Sequence, residues 1–215
     1  MPLPKSAELF YGLRLTEEQR IYADSIHDNL FTGCQARAGS GKTTVAVGVA
    51  KILGKPLHYI FPTDKEKALG YTTGNQQQKE SKYLRPLHDA LIEIKENPSQ
   101  AIINEDDVKQ MKLGTGWIYA YSHNFMRGGN IKNSTVIIDE AQNLTINELK
   151  TILTRIHDSC HVIMIGDFNQ CDINPKLSGF LPYIEHYRTE PYFKLCELTK
   201  NFRGVISAHA ETISA

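Results

Sequence analysis

The sequence predicts an α/β domain with a mostly parallel central sheet flanked by helices. Three observations point there. Short apolar runs alternate with amphipathic helical stretches along the chain, the pattern of a parallel sheet with helical crossovers. Two of the runs, Thr135 to Ile138 and Val162 to Ile165, are apolar almost throughout and rich in β-branched residues, as expected of strands buried on both faces. A third run leads directly into a glycine-rich turn and then a helical pattern.

Taken in order, Thr16-Glu17-Glu18-Gln19 reads as a helix start. Thr16 caps, Gln19 reaches back to it, and Ile21, Ala23 and Ile26 follow on one side. Phe31 to Gln35 leads into Ala38-Gly39-Ser40-Gly41-Lys42-Thr43, and a helix runs from about Lys42 to Leu53 with Val45, Val49, Ile52 and Leu53 as its buried face. Gly54 and Pro56 stop it, glycine by accepting the left-handed cap and proline by lacking a donor. Leu57 to Phe61 is the next strand. The polar span from Thr63 to Lys82, with Gly70, Gly74 and three glutamines, reads as a surface insertion or functional loop. With the helix Leu84 to Ile94, ended by Asn97-Pro98, it makes 63–98 an insertion within the domain. Trp117 to Tyr121 is a strand; Tyr119 and Tyr121 share a face of it, where core packing is expected. Thr145-Ile146-Asn147-Glu148 is a second capping box, opening a helix to about Ile156. Leu195 to Leu198 is a last strand and Val205 to Ile213 a closing helix.

The 215 residues form one domain, 1–215, with 1–30 as an N-terminal helical segment. A chain this long buries roughly 70% of its unfolded surface and needs no staples. Lys plus Arg and Asp plus Glu each total 24, for a formal net charge of zero. Bulk charge therefore does not draw the chain to nucleic acid, and any such contact needs a local patch. Cys34, Cys160, Cys171 and Cys196 form no CxxC pair and read as reduced thiols. Met1 to Glu8 lacks the apolar core of a signal peptide. No apolar run approaches the ~18 residues of a membrane span. The expectation is a cytoplasmic protein with no membrane partner. His157, Cys160 and His161 straddle a helix end and a strand start, so they share no face for a metal.

Ala36-Arg37-Ala38-Gly39-Ser40-Gly41-Lys42-Thr43 matches the P-loop pattern G-x-x-x-x-G-K-[ST], with Ala36 at its first position. Small residues there let consecutive N–H groups turn inward around a phosphate, and the helix N-terminus adds its dipole. Ala38, Gly39, Ser40, Gly41, Lys42, Thr43 and Thr44 are the candidate nucleotide-binding residues. Lys42 is placed to neutralise the β- and γ-phosphates and Thr43 to ligate Mg2+. A buried strand then delivers Asp139 to its C-terminal end as the second Mg2+ ligand, with Glu140 beside it. A carboxylate at that position can orient and deprotonate water, which favours hydrolysis over phosphoryl transfer to a small substrate. Its competing reading is an acid at a helix N-terminus. Gly166-Asp167 with Gln170 ends another strand at the same edge, where Gln170 can contact the γ-phosphate or its water. The pattern as a whole implies ATP with Mg2+.

The order of boxes resembles superfamily-one helicases: Gln19, Gly41-Lys42-Thr43, Pro62-Thr63, Asp139-Glu140-Ala141-Gln142, Gly166-Asp167 with Gln170, and Asn201-Phe202-Arg203. A closer resemblance is to the PhoH-like family of small ATPases. It is carried by Leu69-Gly70-Tyr71, Tyr83-Leu84-Arg85-Pro86-Leu87, Asp89-Ala90-Leu91, Phe125-Met126-Arg127-Gly128, Asp139-Glu140-Ala141-Gln142-Asn143 and Leu153-Thr154-Arg155-Ile156. The resemblance runs from about Thr32 onward. It implies a RecA-like P-loop ATPase related to helicase motor domains, acting on RNA or single-stranded DNA.

By that resemblance Gln19 hydrogen-bonds the adenine edge, beside its reading as a capping-box residue alone. Arg203 stabilises charge on the transferring phosphate by the same resemblance, beside its reading as a surface arginine; Arg127 and Arg155 are the other candidates. One motor domain implies that a neighbouring subunit supplies the arginine, hence a head-to-tail homo-oligomer or ring. Lys65, Lys67, Lys79, Lys82 and Arg85, with Tyr71, offer a surface for a nucleic-acid backbone and base, or a merely solvated loop. The rival to a nucleic-acid-coupled ATPase is an ATP-gated oligomeric interaction module with no nucleic-acid substrate.

Overall fold

Thr16 opens the first helix as its side chain and that of Gln19 close a reciprocal capping box, and Glu17 and Glu18 favour its N-terminal dipole. The computed structural model describes residues 10–63, 76–104, 114–126 and 129–210. In chain order the elements are α1 Glu17–Asp28, β1 Phe31–Ala36, α2 Lys42–Leu53, β2 Leu57–Phe61, α3 Gln76–Glu93, α4 Pro98–Ala101 and β3 Ile118–Ser122. Then follow β4 Thr135–Ile138, α5 Ile146–Leu153, β5 His161–Gly166, α6 Phe180–Tyr187, β6 Phe193–Leu198 and α7 Val205–Ala210.

The six strands form one sheet in the order β3-β2-β4-β5-β1-β6, with every neighbouring pair parallel. A parallel sheet brings all strand C-termini to one edge, where ligands of such folds bind. Strand β5 lies between β1 and β4, with Cys34 opposite Ile165 on one side and Ile138 opposite Met164 on the other.

Period-two alternation divides the strand side chains between two cores. Ile137, Ile163 and Ile165 join Tyr22, Ile26, Val45, Val49, Leu87 and Leu91 under α1, α2 and α3. Val136, Ile138, Val162 and Met164 join Leu149, Ile152, Phe180 and Ile184 under α5 and α6. Each such side chain contributes about 1.5–3 kcal/mol of burial relative to exposure, so β4 and β5 are fixed from both faces.

Several sequence expectations change. Helix α3 begins at Gln76, inside the stretch expected to be loop, and continues through Pro86. Gln, Lys and Glu are good helix formers, so a polar segment need not be a loop. Leu87, Ala90, Leu91 and Ile94 belong to the main core, so much of 63–98 is a core crossover between β2 and β3. Residues 64–75 of that stretch lie outside the described ones. On α2, Val45, Ala46, Val47, Gly48, Val49 and Ala50 are buried while Ile52 is exposed. The reason is packing from two sides, against the sheet and against α1 and α3, which a one-stripe pattern does not describe. Ile21 is exposed and Tyr22 is buried in its place. Tyr119 is likewise exposed, because β3 is an edge strand. Helix α5 ends at Leu153 and α6 was not foreseen.

Candidate phosphate and metal site

The loop between β1 and α2 turns on two left-handed glycines, Gly39 at φ 69° and Gly41 at φ 78°. Gly41 caps α2 without a side-chain hydrogen bond, which leaves the first amides of the helix, from Lys42 to Thr44, pointing out of it. Ala38 is half-buried, Thr44 half-buried in the first turn, and Ser40 enclosed, with a hydroxyl that has no partner among the described residues. These features suit an anion at the helix N-terminus.

Thr43 Oγ1 donates to Asp139 Oδ2 at 3.1 Å across the sheet edge. Tyr59, on β2, donates its hydroxyl to the same oxygen at 2.5 Å, and the Glu140 N–H donates to Asp139 Oδ1 at 2.9 Å. Burial, then the adjacent Glu140 carboxylate, push Asp139 above the usual carboxylate range; Lys42 and the Tyr59 bond pull the other way. A divalent cation beside Asp139 would reverse that balance. The adjoining hydroxyl and carboxylate oxygens are the hard donors magnesium takes, so the residues fit the metal.

Glu140 stands at φ 51°, ψ 40°, the left-handed region, as the residue that leads from β4 into the 3-10 turn Ala141–Asn143. A non-glycine residue there is strained. Its Oε1 lies 3.6 Å from Lys42 Nζ. Its Oε2 accepts from Gln142 Nε2 at 2.6 Å. Gln142 is buried and spans two strand ends: its Nε2 also reaches the Gln170 carbonyl at 3.1 Å, and its Oε1 accepts the Asp167 N–H at 3.1 Å. Asp167 is tied in turn to Gln35 of β1, whose Nε2 donates to its Oδ1 at 3.3 Å. The loop ends of β1, β4 and β5 are thus linked by side-chain amides.

Lys42, Thr43, Asp139 and Glu140 are therefore brought together as expected. Gln170 reaches the cluster through its backbone carbonyl, and its side chain is exposed. Gln19 engages both ends of its amide: Oε1 accepts from Thr16 N–H at 3.0 Å, and Nε2 donates to the Ser40 carbonyl at 2.8 Å. It braces the P-loop as well as the helix cap. Arg203 follows β6, and its stem packs on Gly39: a Cβ added at Gly39 would lie 2.6 Å from Arg203 Cγ. The Phe202 N–H donates to the Gly39 carbonyl at 2.9 Å. Arg155 is on the opposite edge of the sheet, where its carbonyl accepts from Ile131 ahead of β4. Arg127 lies outside the described residues. Tyr59, Gln35 and the bridging role of Gln142 were not read from the sequence. Gln142 sits in the quoted Asp-Glu-Ala-Gln box, and its type and position were the signal available.

A parallel strand, a glycine-rich loop and a helix, with an acidic strand end beyond one intervening strand, define a P-loop NTPase domain. The chain belongs to the PhoH-like protein family, whose model matches residues 13–211. A PhoH-like protein of Synechocystis is 34% identical over 171 residues, covering 76% of this chain and 49% of that protein. Protein PhoH of Escherichia coli is 29% identical, covering 75% of this chain and 45% of that one. The chain thus spans about half the length of the curated relatives it matches. Among solved structures, a Pif1 helicase from Bacteroides is 20% identical with a TM-score of 0.46, over 89% of this chain and 43% of that one. An arterivirus helicase, nonstructural protein 10, is 16% identical with a TM-score of 0.42, over 87% and 39%. What those helicases bind stays a property of those proteins. Among the described residues no helix is long and apolar enough to cross a membrane.

Proposed function

We propose that this chain binds ATP with Mg2+, hydrolyses it, and couples the cycle to RNA or single-stranded DNA. The observation that carries the reading is the approach of Lys42 Nζ to Glu140 Oε1 at 3.6 Å, beside Thr43 and Asp139 at 3.1 Å. The amides from Ala38 to Thr44 bind the phosphates, and Lys42 neutralises their outer oxygens. Thr43 and Asp139 hold the metal, which supplies charge neutralisation of the phosphate oxygens when bound. Glu140 orients a water and accepts its proton, and Gln142 keeps the Glu140 carboxylate aimed. Arg203, over its own chain's P-loop, meets charge on the outer phosphate; such an arginine is worth ~10³–10⁵ in rate. Gln19, its amide engaged with Thr16 and Ser40, acts on the P-loop, with adenine contact left to its remaining N–H.

A head-to-tail homo-oligomer belongs to the proposal, because Arg155 lies on the edge opposite the P-loop, where a heterologous neighbour would meet it. Native mass with ATP bound tests this part, and a monomer alone removes it.

The test of function is steady-state ATP hydrolysis with and without single-stranded RNA or DNA, alongside Lys42→Ala and Glu140→Gln. The expected result is nucleic-acid-stimulated hydrolysis lost in both variants, with ATP binding kept in Glu140→Gln. Hydrolysis indifferent to nucleic acid moves the reading to an ATP-gated interaction module in the cytoplasm. No hydrolysis removes Glu140 as the base and leaves ATP binding.

A further inference from the structure

Two consecutive residues in the first turn of α1 grip two different parts of the site. Gln19 Nε2 holds the Ser40 carbonyl of the P-loop at 2.8 Å. Glu18 holds Thr199 at the end of β6 with both oxygens: Oε2 accepts the Thr199 N–H at 2.8 Å and Oε1 accepts the Thr199 hydroxyl at 2.6 Å. Thr199 starts the strap that crosses the P-loop. Asn201 Oδ1 accepts the Arg203 N–H at 2.8 Å, Phe202 N–H reaches the Gly39 carbonyl, and the Arg203 stem covers Gly39. Within the strap Lys200 Nζ also lies 5.0 Å from the centroid of the Phe202 ring, but little apolar surface is buried. Phe202 is 50% exposed, and Val205 and Ile206, just beyond, are 85% and 86% exposed. Apolar burial therefore does not hold Arg203 over the phosphate loop.

We infer that Glu18 is a positioning residue for Arg203: through Thr199 it anchors the strap that carries the arginine across its own P-loop. The inference rests on the reading of Arg203 under Proposed function. The Thr199 hydroxyl and backbone bonds, with a smaller contribution from the Lys200 backbone, also pull the Glu18 carboxyl below its usual range, as expected of a carboxylate that accepts several donors together. Capping alone does not require this, because Thr16 and Gln19 close the capping box without Glu18. Because α1 joins Glu18 to Gln19 in one turn, a shift of the P-loop at Ser40 and a shift of the Arg203 strap are mechanically linked. Arg203 then answers the phosphate state of its own subunit.

The experiment uses the whole chain, with Glu18→Ala, Thr199→Val, Arg203→Ala and the double variant Glu18→Ala/Arg203→Ala. Two quantities are read: kcat and KM for ATP, and amide exchange of Phe202 by NMR in the nucleotide-free protein. Glu18→Ala is expected to speed Phe202 exchange about tenfold and to lower kcat about tenfold with KM nearly unchanged. Val45, whose N–H donates to Gly41 in α2, should exchange as before. Thr199→Val, which removes the hydroxyl and keeps the backbone bond, should give a smaller change in the same direction. The double variant should match Arg203→Ala alone, since a positioning residue has nothing left to position. Wild-type exchange and kcat in Glu18→Ala, beside a clear loss in Arg203→Ala, overturns the inference and leaves the proposed function intact. Penalties that add in the double variant overturn it too, because Glu18 would then act elsewhere. If Arg203→Ala itself keeps wild-type kcat, the assigned role of Arg203 falls, and this inference with it.

Discussion

Gln142 donates one amide N–H to Glu140 Oε2 at 2.6 Å while its carbonyl oxygen accepts from Asp167 N–H at 3.1 Å. A single buried side chain thus aims the carboxylate that follows β4 and fixes the turn that follows β5. In Gln142→Leu, kcat should fall about 10–100-fold with ATP affinity nearly unchanged, since misplacing a reacting group costs rate before binding. The unpaired Asp167 N–H should cost about 1–3 kcal/mol in urea unfolding. Normal kcat in a destabilised variant would mean that Glu140 holds its own orientation.

The left-handed backbone at Glu140 sets a second expectation. Relief of that conformation is worth roughly 1 kcal/mol, against the loss of partly exposed bonds to Gln142 and Lys42. Glu140→Gly should therefore unfold at the same temperature as the parent or slightly above it, with hydrolysis abolished. Thermal unfolding and turnover checked together decide this. A drop in Tm above about 4 °C would show that the Lys42 contact outweighs the strain.

Asp139 carries a pH signature. Its carboxyl is raised above the ordinary 3.8 by burial and then by Glu140. A raised acid binds its proton more tightly folded than unfolded. Its contribution to stability is therefore full below pH 3.8 and lost as pH rises through the folded value. At neutral pH without metal the ionised group is a net cost. Asp139→Asn should raise Tm at pH 7 in EDTA, and the advantage should vanish near pH 3.8 and below. A variant less stable at pH 7 would mean that the Thr43 and Tyr59 bonds outweigh burial.

Tyr59→Phe removes the hydroxyl that donates to Asp139 Oδ2. A bond to a buried carboxylate is worth about 1.5–3 kcal/mol. The variant should lose about that much in urea unfolding, and half-maximal Mg2+ for nucleotide binding should rise. An unchanged magnesium midpoint would make Tyr59 a packing residue only.

How far the sequence was legible depended on whether a feature was local. Helix α2, its Gly54 cap and both capping boxes matched their expected residues, because caps and glycine turns are set within four residues. Lys42 and Thr43, which open α2 after the loop that follows β1, and Asp139 and Glu140, which follow β4, were legible because parallel strands end at one edge. Tyr59 was not, since nothing in Leu57 to Phe61 says that this strand lies beside β4 and so brings its hydroxyl to Asp139. Gln142 links Glu140, two residues back, to partners 25 or more residues away, and Glu18 acts through Thr199, 181 residues on; only the sheet order brings those distant partners close. Helix α3 was half missed because its first turns are polar, and α6 because its aromatic residues follow a run of turn formers.

Strand β1, which carries the P-loop, pairs only with β5 and β6, the last two strands of the sheet. Neither edge of β1 is closed until the C-terminal part of the chain has been made. Long-range parallel pairing of this kind comes late, since loop closure precedes its reward. During synthesis the phosphate loop therefore exists as sequence well before it exists as a binding site. Nucleotide capture, as proposed, would then report that β5 and β6 have closed on either side of β1.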